Sequence, residues 1–231
     1  MHPTLILIHL PKTGGASVRA TAERNYPQSQ TLHAPGGSSR DERAWLLDIA
    51  PRQLQRTKLI CGHLRYGLHE LLEQDCEYST IIRHPAERIR SLYRWLSDNP
   101  RPKTDRFIAG GFEAFALGDC ISDLDNGQTR MLATMQDVAG DPPTRAVNDN
   151  DFELAIGRLD RMPVVGTADN HRRYLDRLAA KYQWSDTDLP HIHKAHHQLD
   201  RDEDLMDEIA RRNSYDLSLY LEAKRHEERM G

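Results

Sequence analysis

Residues 4–17 read TLILIHLPKTGGAS, a dense apolar run that ends in a proline, a lysine and two glycines. The run from Thr4 to Leu10 has the pattern of a strand that is buried on both faces of a parallel sheet. Gly14 and Gly15 permit a tight turn, after which a helix is expected from Ser17 to Arg24. A buried strand, a turn and a helix in this order predict an α/β fold.

The junction between this strand and this helix is a candidate anion site. Backbone N–H groups and the positive end of a helix dipole attract phosphate at such a place, and Lys12 adds a full positive charge. The alternative interpretation is an ordinary strand-to-helix turn with a surface lysine. The loop is not a Walker A sequence, in which lysine follows the second glycine, because Lys12 precedes Gly14. This order counts against an ATPase or an ordinary kinase.

The rest of the chain alternates strand and helix patterns. Further strands are expected at three places: residues 58–61, 78–82 and 163–167. We therefore expect an α/β, P-loop-like three-layer fold with a central, mainly parallel sheet flanked by helices. The 231 residues suffice for one substantial core, so residues 1–231 are expected to form a single domain. Residues 29–39 have the composition of a loop, and Asn150 or Asp151 is expected to cap a helix over residues 151–159.

Composition excludes several classes of protein. A formal net charge of −4 and a pI near 6.3 provide no general basic field, so no nucleic-acid partner is expected. Cys61, Cys76 and Cys120 lack CxxC spacing, which predicts neither a disulfide framework nor a zinc site and favours a reduced, cytoplasmic setting. The apolar run of residues 5–10 is far shorter than the roughly 20 residues that cross a bilayer, so no membrane span is expected.

A second strand-to-helix junction lies at residues 79–93, STIIRHPAERIRSLY. Arg83 stands where the strand stops, and Ser91 follows about two helical turns later. An arginine can bind a phosphate through two N–H groups, and a serine hydroxyl can add a hydrogen bond. Taken alone, Arg83 and Arg88 would be expected to pair with Glu87 or other surface acids. Two anion sites in one α/β domain suit a nucleotide that is phosphorylated at two separate places.

The paired segments HLPKTGGAS, residues 9–17, and TIIRHPAERIRSLYRWL, residues 80–96, resemble the 5′- and 3′-phosphate motifs of the carbohydrate sulfotransferase family related to heparan sulfate 2-O-sulfotransferases. The resemblance continues in family order through four further segments: CGHLRYGLHELL, NGQTRML, VVGTADNHRRYLDRL and NSYDLSLYLEAK. It implies 3′-phosphoadenosine 5′-phosphosulfate (PAPS) as the donor cosubstrate and the desulfated nucleotide PAP as a product.

The resemblance also implies roles for individual residues. His63 matches the catalytic histidine of the family, and a histidine titrates in the range that suits a general base. Arg83 and Ser91 match the 3′-phosphate site. The 5′-phosphosulfate loop corresponds to six residues, of which the first would also stabilise the leaving phosphate: Lys12, Thr13, Gly14, Gly15, Ala16 and Ser17. The chain departs from the family at Ala16, where threonine is common, and at His84, where an acid or an amide is usual.

Three weaker candidates complete the predicted site. His33, in the loop-like segment, is the alternative base and a candidate acceptor contact, and Arg130 could face the acceptor or the nucleotide. By family analogy the late segment that contains Lys194 could close over PAPS. The histidines of that segment, between His191 and His197, suggest a metal, but no HExxH pattern accompanies them and the family needs none, so no metal is expected.

The sequence thus predicts a sulfotransferase that moves a sulfuryl group from PAPS to a hydroxyl, with a carbohydrate as the expected acceptor. Two other functions stay open at this point. A kinase-like phosphotransferase would bind ATP and Mg²⁺, and a noncatalytic protein would bind PAP without transferring a sulfuryl group.

Overall fold

A parallel sheet of five strands forms the centre of the part of the chain that the computed structural model describes, residues 2–34, 42–100, 104–134, 143–190 and 201–229. The strands are β1 (Thr4–Ile8), β2 (Thr31–His33), β3 (Leu59–Gly62), β4 (Cys76–Ile82) and β5 (Val164–Thr167). Their order is β2-β3-β1-β4-β5, and every neighbouring pair is parallel. All carboxyl ends therefore meet at one edge of the sheet.

Strand β1 occupies the middle of the sheet, between β3 and β4. Its last residue, Ile8, lies opposite Gly62 of β3 and Thr80 of β4. The strand order changes direction at this point, and such a switch in an open α/β sheet creates a crevice at the carboxyl ends of the strands. The segment after Ile8 consequently opens into that crevice.

Helices cover both faces of the sheet, as the expected three-layer fold requires. They are α1 (Gly15–Asn25), α2 (Glu42–Leu47), α3 (Pro51–Arg56), α4 (Pro85–Asp98), α5 (Asp105–Ile108), α6 (Gly111–Ala116), α7 (Gly127–Leu132), α8 (Asp149–Asp160), α9 (His171–Tyr182), α10 (Glu203–Arg212) and α11 (Ser214–Arg229). Among the described residues, no helix is both long and apolar enough to cross a membrane.

The side chains of β1 alternate between two of the apolar clusters, one on each face of the sheet. Leu5 and Leu7 pack in a core with residues of α1 and α9, whereas Ile6 and Ile8 pack on the opposite face with residues of α8 and α11. Burial on both faces explains why the strand is apolar at successive positions instead of at every second one. The central, parallel, doubly covered sheet confirms the predicted fold class.

Two local predictions were wrong. Strand β2 lies inside the segment that was expected to be a loop, because a three-residue edge strand is too short to show a period-2 pattern. Helix α8 is capped by Asn148 and not by Asn150 or Asp151. The Asn148 side chain accepts the Asp151 N–H at 3.1 Å, and the Asp151 carboxylate accepts the Asn148 N–H at 3.1 Å. This reciprocal pair is a capping box.

Candidate active site

The turn between β1 and α1, residues 11–15, is called the glycine turn below. Two of its residues have left-handed backbone angles, with φ of 65° at Lys12 and 85° at Gly14. Glycine suits position 14 for two reasons. A residue with a side chain would be strained at this φ, and its Cβ atom would lie 2.1 Å from the His171 ring. Helix α1 begins at Gly15 and has no acidic residue in its first turn. Its positive end is therefore not neutralised by a side chain of that turn.

Two histidine rings contact the glycine turn: His9, which precedes the turn, and His171, which begins α9. The His9 ring packs against Gly15 so closely that an added Cβ would lie 2.4 Å from it. The His171 Nε2 donates to the Thr13 carbonyl at 2.9 Å, and burial lowers the pKa of this imidazole. The neutral His171 ring therefore donates one hydrogen bond to the turn. Neither ring was singled out from the sequence.

The Lys12 side chain points toward helix α4. Its Nζ lies over the ring of Trp95, 5.3 Å from the ring centroid, as a cation–π contact. Burial, and then the positive charge of Arg83, lower the pKa of Lys12 to about 8, while Asp98 opposes this shift. The ammonium therefore gains more from an added anion than an ordinary surface lysine would.

Arg83 joins the ends of β4 and β1. Its Nη1 donates to the Lys12 carbonyl at 3.0 Å, and its Nη2 lies 3.9 Å from the Glu87 carboxylate. Burial lowers the pKa of this guanidinium, with Glu87 acting in the opposite direction. The predicted ion pair between Arg83 and Glu87 is therefore present, but its charged atoms are widely separated. Arg88, by contrast, is fully buried and pairs with Asp123 at 3.1 Å.

A polar clamp fixes the backbone of Arg83. The Gln128 side chain accepts the Arg83 N–H at 2.9 Å and donates to the Arg83 carbonyl at 2.8 Å. The fully buried Asp216 carboxylate accepts the backbone N–H groups of Gln128, at 3.1 Å, and of Thr129, at 2.8 Å. Asp216 also accepts the Thr129 hydroxyl at 2.8 Å. Gln128 and Asp216 belong to NGQTRML and NSYDLSLYLEAK, but no local pattern in the sequence identified them.

Two further residues near Arg83 belong to this junction: Ser91 lies in helix α4, and His84 lies between Arg83 and that helix. Ser91 is half-buried, about two turns into the helix, as its spacing predicted. His84 is the residue before the helix, and its ring makes an edge contact with Tyr220 at 5.4 Å between centroids. Burial lowers the pKa of His84, so the ring is neutral near pH 7. This aromatic contact replaces the acid or amide that the resemblance led us to expect.

His63 lies immediately after β3, on the other side of β1 from Arg83. Its Nδ1 is 2.7 Å from the His9 carbonyl, and its ring stacks on His9 with 4.5 Å between centroids. A carbonyl only accepts hydrogen bonds, so Nδ1 carries the proton and Nε2 holds the lone pair of the neutral ring. The side chain is exposed, which leaves Nε2 able to accept a proton from a bound hydroxyl.

The remaining residues of the predicted loop have different surroundings. The Thr13 hydroxyl is buried and donates to the Leu10 carbonyl at 2.9 Å, so it holds the turn from within. Ala16 and Ser17 lie in the first turn of α1, both half-buried. The ends of β1, β3 and β4 thus place Lys12, Arg83 and His63 at the same edge of the sheet.

Other predicted residues do not join this group. Arg130 is only 4% exposed, and its guanidinium is bound by Asp125 and by the Arg145 carbonyl. His33 ends the edge strand β2, two strands away from β1, and its Nδ1 faces Glu23 and Cys61. Lys194 and the segment from His191 to His197 lie outside the described residues.

Comparisons with known proteins give a limited picture. No family model matches the chain, and no curated protein matches it. One similar solved structure is a sulfotransferase from Alicyclobacillus acidocaldarius, 14% identical, with a TM-score of 0.49 over 95% of this chain and 94% of that one. Another is the mouse sulfotransferase SULT7A1 complexed with PAP, 18% identical, with a TM-score of 0.45 over 94% of this chain and 66% of that one. At this level of similarity, any activity must be argued from the chain's own side chains.

Proposed function

We propose that the protein is a PAPS-dependent sulfotransferase that sulfates a hydroxyl of a carbohydrate, as the resemblance to the 2-O-sulfotransferase-related family implies. The observation that carries the proposal is the Arg83–Lys12 hydrogen bond, 3.0 Å long, which joins the two strand ends where the sequence predicts phosphate binding. A nucleotide with separate 5′ and 3′ phosphates would occupy both places. His63 stands on the opposite side of β1, where an acceptor would approach.

The proposed donor site has two parts. Backbone N–H groups of Thr13, Gly14, Gly15 and Ala16, at the positive end of α1, bind the 5′-phosphosulfate. Ser17 adds its hydroxyl, because its N–H already donates to the Gly14 carbonyl at 3.3 Å. Arg83 and Ser91 bind the 3′-phosphate, Arg83 through N–H groups that do not donate to the Lys12 carbonyl. Lys194 is proposed to add a charge from the segment outside the described residues.

The proposed reaction forms one S–O bond and breaks another. His63 Nε2 removes the proton of the acceptor hydroxyl while the acceptor oxygen bonds to sulfur. The bond between sulfur and the 5′-phosphate oxygen breaks, and Lys12 stabilises the negative charge that develops on that oxygen. PAP leaves, and the sulfated acceptor carries the sulfuryl group. The His9 carbonyl keeps the His63 ring in the correct tautomer by accepting a hydrogen bond from its Nδ1–H.

Three residues were predicted to lie near the acceptor: His63, Arg130 and His33. The proposal assigns the catalytic role to His63. The Arg130 guanidinium is already bound by Asp125 and is shielded from solvent, so we assign it the role of holding α7. His33 lies two strands from β1, at the edge of the sheet. A comparison of His63→Ala with His33→Ala tests the choice of base directly, and a larger loss in His33→Ala would transfer the role to His33.

The experiment is a transfer assay with sulfur-labelled PAPS across a panel of glycans and small alcohols, preceded by calorimetric titration with PAP and with ATP plus Mg²⁺. Binding of PAP followed by labelling of a glycan supports the proposal. Binding of PAP without labelling of any acceptor indicates the noncatalytic protein. Binding of ATP with Mg²⁺ in place of PAP indicates the phosphotransferase, although the position of Lys12 before the glycines disfavours that activity.

A further inference from the structure

A cluster of three potential metal ligands lies at the edge of the sheet away from Arg83. Glu23 is in the last turns of α1, His33 ends β2, and Cys61 is the third residue of β3. Cys61 is 28 residues from His33 and 38 from Glu23, and the three side chains converge only in the fold. The proposed sulfuryl transfer uses none of these side chains.

The separations of the ligand atoms match one small cation. His33 Nδ1 is 3.3 Å from Glu23 Oε1 and 3.4 Å from Cys61 Sγ, and Sγ is 4.0 Å from the same Oε1. A circle through three atoms with these separations has a radius of about 2.1 Å, whereas zinc bonds to nitrogen, oxygen and sulfur measure about 2.0–2.3 Å. A zinc ion slightly above the plane of the three atoms would reach each of them without movement of the backbone.

The arrangement differs from that of a nucleophilic triad. In a triad, the acid and the nucleophile contact opposite nitrogens of the imidazole. Here the Glu23 carboxylate and the Cys61 thiol both face Nδ1, which has one proton or one lone pair and cannot serve both. The thiol is also 1% exposed and therefore closed to a substrate. Convergence on one point is the geometry that a shared cation requires.

The interactions that compete with a cation are weak. Arg19 Nε lies 3.2 Å from the same Glu23 oxygen, but the Arg19 side chain is 44% exposed and the pair lies on the surface of α1. Exposed pairs of this kind contribute little to stability and open readily. The thiol's other acceptor, the Leu32 carbonyl, is 3.8 Å from Sγ. Neither contact would prevent these atoms from turning toward an ion.

We propose that Glu23, His33 and Cys61 form a Zn²⁺ site, with water as the fourth ligand. Thiolate and imidazole select zinc over Mg²⁺ or Ca²⁺, which prefer oxygen. The thiol proton passes to solvent when the S–Zn bond forms. The ion links α1 to the edge strand β2 and to β3. Helix α1 starts at the glycine turn, and the β3 ligand, Cys61, lies two residues before His63. Cysteine spacing alone does not reveal such a site, because each ligand comes from a different segment.

Cobalt is the probe, because thiolate-bound Co²⁺ gives a charge-transfer band that histidine and carboxylate ligands do not produce. The histidines between His191 and His197 could bind Co²⁺ but cannot give this band. Chelator-treated protein is titrated with Co²⁺ and then with Zn²⁺. One Co²⁺ per chain with a thiolate band, bleached by stoichiometric Zn²⁺, is the expected result.

Variants assign the ligands. Cys61→Ser should abolish the band, and Glu23→Gln, at a partly exposed position, should weaken Co²⁺ binding at least tenfold. The matched control is Cys76→Ser, since the Cys76 thiol contacts the Gln74 carbonyl at 3.3 Å and lies outside the cluster. A titration without the band, a band that survives in Cys61→Ser, or a band lost in Cys76→Ser would each overturn the proposal. Folding of every variant is checked by circular dichroism, and if Cys61→Ser fails to fold, Glu23→Gln decides.

Discussion

The lowered pKa of Lys12 leads to a specific dependence of PAP binding on pH. Burial and Arg83 bring the pKa of this ammonium to about 8 in the free protein. A bound phosphate favours the charged form, so it raises the pKa and binding takes up a proton when the pH exceeds 8. The protonated fraction of free Lys12 falls from about 0.9 at pH 7 to about 0.1 at pH 9. PAP affinity should therefore fall about tenfold over this interval.

Calorimetry at several pH values, in buffers of different ionisation enthalpy, measures both the affinity and the proton uptake. The charge of PAP itself is nearly constant in this range, because the second pKa of a phosphate monoester is about 6 and its ionisation is about nine-tenths complete at pH 7. The matched variant is Lys12→Arg, whose guanidinium keeps its proton throughout. It should bind PAP with nearly the same affinity at pH 7 and pH 9, and without proton uptake.

Equal slopes for the parent protein and for Lys12→Arg would refute the assignment of the titration to Lys12. A parent protein whose affinity does not change between pH 7 and pH 9 would refute the combination of a lowered Lys12 pKa and a contact between Lys12 and the nucleotide. Arg83 would be tested independently of either result.

Three other changes have defined outcomes. His63→Ala should lower turnover by about 10²- to 10⁴-fold and leave PAP affinity, measured by calorimetry, nearly unchanged; undiminished turnover would contradict its role as base. Gln128→Leu should weaken PAP binding about tenfold, because the Arg83 backbone loses two hydrogen bonds, and an unaltered titration curve would show that the clamp is dispensable. Gly14→Ala should abolish PAP binding and lower the free energy of unfolding, measured in urea, by about 1–3 kcal/mol. The reason is that φ at this residue is 85° and the His171 ring occupies the place of the added Cβ atom. A variant with the affinity and stability of the parent protein would argue against a fixed turn.

The parts of the structure that were predicted correctly are local in sequence. Residues 4–17 contain the strand, the turn and the start of the helix, so their composition was enough to place β1 and α1. The position of Arg83 between β4 and α4 was predicted in the same way, from a strand that stops where a helix begins. The fold class followed because such units repeat along the chain. Short elements such as β2 carry too few residues to produce a pattern.

The supporting contacts of the site could not be predicted because they join distant segments. The His63 ring is positioned by His9, and the Arg83 backbone by Gln128, through hydrogen bonds that span 54 and 45 residues. Arg130 shows the reverse case. An arginine close to Gln128 has a residue type that suits an anion ligand, but the Arg130 side chain is buried against Asp125. Residue type identifies a possible partner, whereas burial decides which partner is used.

The clamp on Arg83 has a consequence for biosynthesis. Asp216 holds the amide groups that begin α7, and α7 in turn holds Arg83, so the Arg83 end of the crevice depends on a residue that is translated 133 positions later. While α11 is still inside the ribosome, Asp216 cannot hold α7, and the backbone of Arg83 lacks that support. The proposed nucleotide site would then be completed only late in synthesis.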